Sequence, residues 1–278
     1  MELRELIVKN KQSSKFYLIV FLLAASQFSY AERIKVPAGE FAMGCSVNDD
    51  QCENDEGKPG GESINLSGFY IDSHEVTVKE YAACIDVGKC QTPKDFNRNK
   101  YCNLNANDRG NHPINCVDWQ DAADYCEWKS GRLPYEPEWE KAARAGSSSR
   151  YPWGQEVTCN EAIVDDGVTF GSVPNEPDGC GEDRTWPIGS RAANALGLYD
   201  MHGNAGEWTG SWYAKNAVDE FYAKGDLAGP DAGKQRVVRG GSWDENRKNL
   251  RSSFRNVKPP VSGRGIYGSI GFRCAYDE

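Results

Sequence analysis

Apolar residues recur at helical spacing in three stretches of this chain. Thr77-Val78-Lys79-Glu80 has the form of a capping box, and Tyr81, Ala82 and Ile85 follow at helical spacing. This predicts a helix from about Val78 to Val87, ended by Gly88. Asp118 can cap a second helix that carries Trp119, Ala122, Ala123 and Cys126 on one face, with Gly131 just past its end. Pro137 suits the first turn of a third helix, with Trp139, Ala142 and Ala143 turned inward and Gly146 as the stop. Elsewhere short β-type runs stand between turns: 40–43, 68–72, 197–201, 237–239 and 271–275. Residues 147–196 are rich in Gly, Pro, Asp and Asn and show little periodicity. A loop region that long must be held by something other than secondary structure. A Cys159–Cys180 bridge and a bound cation are both candidates. With no repeat, linker or low-complexity tract, residues 32–278 read as one α+β domain with little regular secondary structure.

The first residues break this pattern. Lys9, Lys11 and Lys15 precede an apolar run from Phe16 to Ala25, and Ser29-Tyr30-Ala31 places small residues at −3 and −1 of a cut after Ala31. The run is about ten residues, too short for a bilayer span, which needs ~20. Residues 1–31 therefore read as a secretory signal peptide. The expected location is the periplasm or outside the cell, with no membrane span after cleavage. The ten cysteines, all beyond Ala31, agree with an oxidising compartment. None forms a Cys-x-x-Cys pair, which argues against a zinc ribbon or a thioredoxin-type site. Spacing favours local staples: Cys45 with Cys52, Cys84 with Cys90, Cys102 with Cys116, and Cys159 with Cys180. Cys126 and Cys274 remain, although spacing alone does not fix the connectivity. Lys plus Arg is 32 against 41 Asp plus Glu, a net charge of −9. An acidic chain is a poor nucleic-acid binder, because neutralising phosphates takes a basic surface. Mean hydropathy of −0.67 argues against a multi-span membrane protein.

Seven stretches in one order resemble the sulfatase-modifying-factor family, whose best-known members are formylglycine-generating enzymes. They are 36–44 (VPAGEFAMG), 68–77 (GFYIDSHEVT), 112–146, 151–154 (YPWG), 197–208 (GLYDMHGNAGEW), 239–243 (RGGSW) and 271–275 (GFRCA). The resemblance spans essentially the whole chain after the leader. It implies an elaborated C-type-lectin-like fold, and it supports a Cys126–Cys274 bridge, since both positions match cysteines paired in the family.

Formylglycine-generating enzymes oxidise a substrate cysteine with two thiolates that bind copper(I), a soft ion selected by sulfur. The resemblance places those thiolates at Glu245 and Leu250, a carboxylate and a hydrocarbon. Ser242 remains but cannot carry the reaction alone, and copper is not expected. The related iron-dependent sulfoxide synthases use a cluster of histidines from an extra domain absent here. His74, His112 and His202 have no metal-ligand spacing and read as structural or surface residues.

The best local chemistry is the stretch from Asp200 to Glu207, two carboxylates with a glycine-containing turn between them. Calcium takes six to eight oxygens from carboxylates and backbone carbonyls. The family binds calcium here, and the resemblance implies as ligands the side chains of Asp200 and Glu207 and the carbonyls of Met201, Gly203 and Ala205. A second family site would begin at Asn160 and Glu161. Its later acidic ligand falls near Cys180, which leaves Asp178 or Glu182 as substitutes, or the Cys159–Cys180 bridge in the ion's structural role. Towards the C terminus, Ser242, Trp243, Asp244, Glu245, Arg247, Arg251 and Arg255 interleave aromatic, basic and acidic groups as recognition surfaces do. In some relatives this stretch of the fold forms a ligand face. The competing reading makes several of these arginines buried partners of acidic residues. The expected function is a calcium- and disulfide-stabilised binding or accessory module for an unknown protein or small molecule. The alternative is a formylglycine-generating-type oxidoreductase acting on a protein cysteine.

Overall fold

The three amphipathic stretches fold as helices whose first turns are locked by carboxylates. In α1 (Val78–Asp86) the Thr77 hydroxyl accepts from the Glu80 N–H, and Glu80 in turn accepts from the Thr77 N–H at 2.7 Å. This reciprocal pair satisfies two amides that a helix start leaves open, and a cap of this kind stabilises by ~1 kcal/mol. In α2 (Trp119–Trp128) the Asp118 N–H donates to Asp121, and in α3 (Glu136–Arg144) the Tyr135 N–H donates to Glu138. The turn that ends α3 is made at Ala145, in the left-handed region at φ 48°, one residue before the expected Gly146. The computed structural model describes residues 31–94, 96–169, 177–261 and 267–278. Residues 1–30, all but the last residue of the expected 1–31 export signal, lie outside the described residues. Among the described residues no helix is long and apolar enough to cross a membrane.

Along the chain the strands are β1 (Arg33–Val36), β2 (Gly39–Met43), β3 (Glu62–Leu66), β4 (Phe69–Asp72), β5 (Asp165–Thr169), β6 (Pro177–Gly179), β7 (Gly206–Trp212), β8 (Arg236–Arg239), β9 (Asn256–Lys258), β10 (Ile270–Gly271) and β11 (Ala275–Asp277). One sheet has the order β1-β4-β11, another β10-β7-β8-β9, and β2–β3 and β5–β6 are two-stranded. The run at 197–201 is not a strand: Gly197 (φ 89°) and Asp200 (φ 54°) turn the backbone out of the extended region. The run at 271–275 is divided between β10 and β11, so that Arg273 falls in the bend between two sheets.

This division positions the site. β10 lies parallel to β7 with Gly271 opposite Glu207, while β11 pairs antiparallel with β4, Ala275 opposite Ile71. The two ends of the domain and its middle thus meet, and the Cys126–Cys274 bridge holds α2 to the same seam. Gly131 lets the chain after α2 pass β11, because a Cβ there would stand 2.6 Å from the Ala275 carbonyl.

All ten cysteines are paired: Cys45–Cys52, Cys84–Cys90, Cys102–Cys116, Cys126–Cys274 and Cys159–Cys180. One core layer packs Tyr81 of α1 and Tyr125 of α2 against Phe272 and Trp208; another packs Trp139 of α3 against Met43, Ile64 and Met201. The irregular stretch after α3 is held by a small apolar cluster of Tyr151, Val157, Ala162 and Val164, with the Cys159–Cys180 bridge against it.

Candidate functional site

The 200–207 loop owes its shape to tight backbone contacts. Asp200, Gly203 and Asn204 all have positive φ, at 54°, 83° and 60°. Gly203 is required: a Cβ there would lie 2.1 Å from the Ile163 carbonyl, the same carbonyl that accepts from the Asn204 N–H. The Gly203 N–H donates to the Gly240 carbonyl and the Trp243 N–H to the Asn204 carbonyl, which joins the loop to the segment after β8.

Glu207 and Asp200 are treated differently by this frame. Glu207 is fully buried, and both its oxygens accept from Arg273 while Oε2 also accepts from the Trp139 indole at 2.7 Å. Burial disfavours the Arg273 charge, but the Glu207 carboxylate outweighs it, and the Arg273 pKa lies above its usual value. Asp200 Oδ2 accepts from the Gly189 N–H at 2.6 Å. Its carboxyl lies within hydrogen-bonding reach of a residue that the sequence pattern did not single out, Glu75. Glu75 is fully buried; its Oε1 accepts from Asn204 Nδ2 at 3.1 Å and its Oε2 has no partner among the described residues. Burial, reinforced by the charge of Asp200, raises the Glu75 carboxyl well above the usual carboxylate range, and burial raises Asp200 as well. Glu75 stands in the polar run Asp72-Ser73-His74-Glu75 and carries no local signal of its own; only the approach of the segment after β4 to the 200–207 loop makes it part of a site.

These groups fit a hard divalent cation. The carboxylates of Glu75, Asp200 and Glu207 face one buried guanidinium, that of Arg273. The donors are oxygens, which suits calcium rather than a thiol- or imidazole-seeking metal. Glu207 has most of its acceptor capacity taken by Arg273 and Trp139, whereas Glu75 does not.

The second predicted cation site is arranged as a turn. Glu161 Oε2 accepts from the Thr158 N–H and hydroxyl at 2.8 and 2.6 Å, and Thr158 holds its carboxyl below the usual value. Asn160 is exposed beside it and its N–H donates to Thr158. Glu182 pairs with Arg184. The Asp178 side chain lies outside the described residues.

At the positions matched to the copper thiolates, Glu245 Oε1 accepts from Asn256 Nδ2 at 2.8 Å, and burial raises its carboxyl. Leu250 is fully buried among Tyr151, Val157, Ala162 and Val164. With every cysteine in a disulfide, the chain has no free thiol. The expected ligand face is divided. Asp244 and Arg247 are exposed, but Ser242 and Trp243 are buried, with Trp243 set 5.2 Å from the Tyr101 ring. Arg251 and Arg255 do not belong to a surface. Arg251 pairs with Glu56 at 2.6 and 2.7 Å and with Asp49, and Arg255 pairs with Glu136 at 2.7 and 2.8 Å, all in the interior. The buried-partner reading holds for both, because a guanidinium taken from water is tolerated only against fixed carboxylates.

The histidines do not converge. His74 hydrogen-bonds the Glu75 carbonyl, His112 the Thr185 hydroxyl and His202 the Leu250 carbonyl. His202 packs among Trp139, Tyr151 and Trp153, and burial lowers it to about 4.

Residues 22–278 match the family described as the sulfatase-modifying factor enzyme 1-like domain. The chain belongs to this family. Among sulfatase-modifying-factor relatives, a formylglycine-generating enzyme of Streptomyces coelicolor is 30% identical over 303 residues, covering 91% of this chain and 92% of that protein. A formylglycine-generating enzyme of Thermomonospora curvata is 29% identical, covering 88% and 93%. The solved structure of PvdO from Pseudomonas aeruginosa superposes with a TM-score of 0.71 at 27% identity, covering 89% of this chain and 95% of that one. The fold is the elaborated C-type-lectin-like one expected from the motifs.

Proposed function

We propose that this protein is a non-oxidase member of the sulfatase-modifying-factor family, an exported binding or accessory module whose fold is stabilised by disulfides and by calcium. The observation that carries the reading is the replacement of the thiolate pair by Glu245 and Leu250 in a chain whose cysteines are all bridged. A carboxylate held by Asn256 and a leucine in an apolar cluster supply no soft ligand for copper(I). Five disulfides agree with an oxidising compartment, either the periplasm or the exterior. Calcium is supported by the donor set of Asp200 and Glu207, with the carbonyls of Met201, Gly203 and Ala205 on the same loop. The ion would supply positive charge where buried carboxylates outnumber guanidinium groups. The recognition surface for a protein or small molecule reduces to the exposed part of the C-terminal stretch, around Asp244 and Arg247.

The test uses the purified protein with copper(I), oxygen and a peptide that contains the sulfatase-type Cys-x-Pro-x-Arg motif, read by mass spectrometry. The expected result is no aldehyde, beside an active family enzyme as control. Conversion of the peptide cysteine would overturn the reading.

A further inference from the structure

We propose that the cleft between β2 and the C-terminal end of α3 is a binding site for a small apolar carboxylate, with the Lys141 ammonium as the partner of the carboxylate group. The cleft shares no residue with the C-terminal face and does not depend on how Glu245 and Leu250 are read.

The walls supply the apolar half of the argument. The cleft encloses about 370 Å³, within the ~300–1,000 Å³ of small-molecule sites. Val36, Pro37, Phe41, Ala42, Ala145 and Leu196 line it. Phe41 and Leu196 are half-buried and pack against the core layer of Trp139. Asn194 ties one wall to the other: its Oδ1 accepts from the Leu196 N–H at 3.0 Å and its Nδ2 donates to the Ala142 carbonyl at 2.9 Å. The apolar lining is thus held in place by the fold, and a hydrocarbon seated on it would leave water.

The polar groups select the sign of the ligand. Lys141 stands in the last turn of α3, and its Nζ donates to the Gly39 carbonyl at 2.7 Å. An ammonium has three protons, so two are left. Among the described residues Lys141 makes no ion pair, and burial is the only influence that shifts its charge, downward from the ordinary value. Glu40 lies at the exposed rim and is not among the groups that act on it. The Arg144 guanidinium beside the cleft is taken up by Glu140, Ser46 and the Gly44 carbonyl. The carbonyls that end α3 are taken as well: that of Lys141 accepts from the Ala145 N–H, those of Ala142 and Ala143 from Asn194 Nδ2, and that of Arg144 from the Ser147 N–H. A ligand cation therefore meets no open carbonyl at this helix end, whereas an anion meets an ammonium with two free protons. Ser147 Oγ accepts from the Ser149 N–H, which leaves its own proton as a further donor at the cleft. A partly desolvated cation without a counter-charge is unfavourable, and a carboxylate placed against it forms a charge-assisted hydrogen bond.

The experiment is isothermal titration of octanoate into the full chain at neutral pH, beside 1-octanol and octylamine, for the wild type, Lys141→Met and Ala42→Trp. Wild type is expected to bind octanoate at a single site, octanol more weakly and octylamine not at all. Lys141→Met is expected to lose about tenfold in octanoate affinity, the effect of one hydrogen bond to a charged group, and to keep its affinity for octanol. Lys141→Gln takes its place should Lys141→Met not fold. Ala42→Trp fills the cleft while leaving Lys141 in place, and is expected to lose both ligands. A wild type that binds no octanoate, or that binds octylamine as tightly, overturns the proposal. So does a Lys141 variant with unchanged octanoate affinity, or an Ala42→Trp variant that still binds as wild type does.

Discussion

Arg273 holds both carboxylate oxygens of Glu207, at 2.7 to 2.9 Å, with neither side chain exposed to solvent. Breaking one side of such a pair strands the other charge in the interior, which typically costs about 3–5 kcal/mol. Arg273→Met is expected to lower the free energy of urea unfolding by that amount. The double variant Arg273→Met/Glu207→Gln should recover part of it, because the stranded charge is gone. A loss below about 1 kcal/mol in the single variant would contradict the assignment.

The divided C-terminal face makes a second prediction. Arg251 lies inside against Glu56 and Asp49, while Arg247 is exposed. Arg251→Ala should destabilise by about 3–5 kcal/mol. Arg247→Ala should leave stability within ~0.5 kcal/mol and remain available to report on ligand binding. Chemical denaturation of the two variants side by side decides it, and equal losses would refute the division.

Leu250 gives a third. It is fully buried in the cluster that anchors the irregular stretch after α3. Leu250→Ala leaves a cavity and should cost about 2–5 kcal/mol. Hydrogen exchange should show the loss of protection concentrated around Tyr151 to Val164, and a uniform loss would argue against a local role.

The disulfides should differ in weight. Cys126–Cys274 closes a sequence separation of 148 residues and Cys84–Cys90 one of 6. On loop-closure entropy the long bridge contributes ~5 kcal/mol and the short one ~2 kcal/mol. Paired Cys→Ala variants, compared by denaturant midpoint, should rank in that order; the reverse order would sink the argument.

Asp72 makes stability depend on pH. It is buried at the end of β4, where it accepts from the Cys274 N–H and the Tyr276 hydroxyl, and burial pushes its carboxyl up to about 7. The folded state holds this proton more tightly than the unfolded chain, where an aspartate titrates at about 3.9. Its stabilising contribution is therefore complete below about pH 4 and is lost as pH rises through about 7. Asp72→Asn removes the titration. Relative to wild type it should gain a few kcal/mol between pH 4 and pH 8, at about 1.4 kcal/mol for each tenfold fall in proton concentration below pH 7. A difference that is flat across that window, in unfolding curves at several pH values, would rule this out.

Much of the local structure was legible in the chain itself. Thr77 and Glu80, three residues apart, are enough to start α1, because a capping box needs only neighbours in sequence. The short staples, Cys45–Cys52 and Cys84–Cys90, follow from spacing for the same reason. The motif order identified the family and hence the fold, and the resemblance implied that Glu245 and Leu250 stand at the thiolate positions. What the chain alone left open was decided by contacts between distant segments. The strand expected at 197–201 is a turn because Gly197 and Asp200 take positive φ, which lets Asp200 accept from the Gly189 N–H. Arg251 and Arg255, polar in sequence and candidates for a surface, are interior because Glu56 and Glu136 wait there to neutralise them. Glu75 is an ordinary acid until the turn after β4 sets it against Asn204 and Asp200. Charge is read from a residue type, but whether that charge is solvated, paired or left for an ion depends on which remote group the fold places beside it.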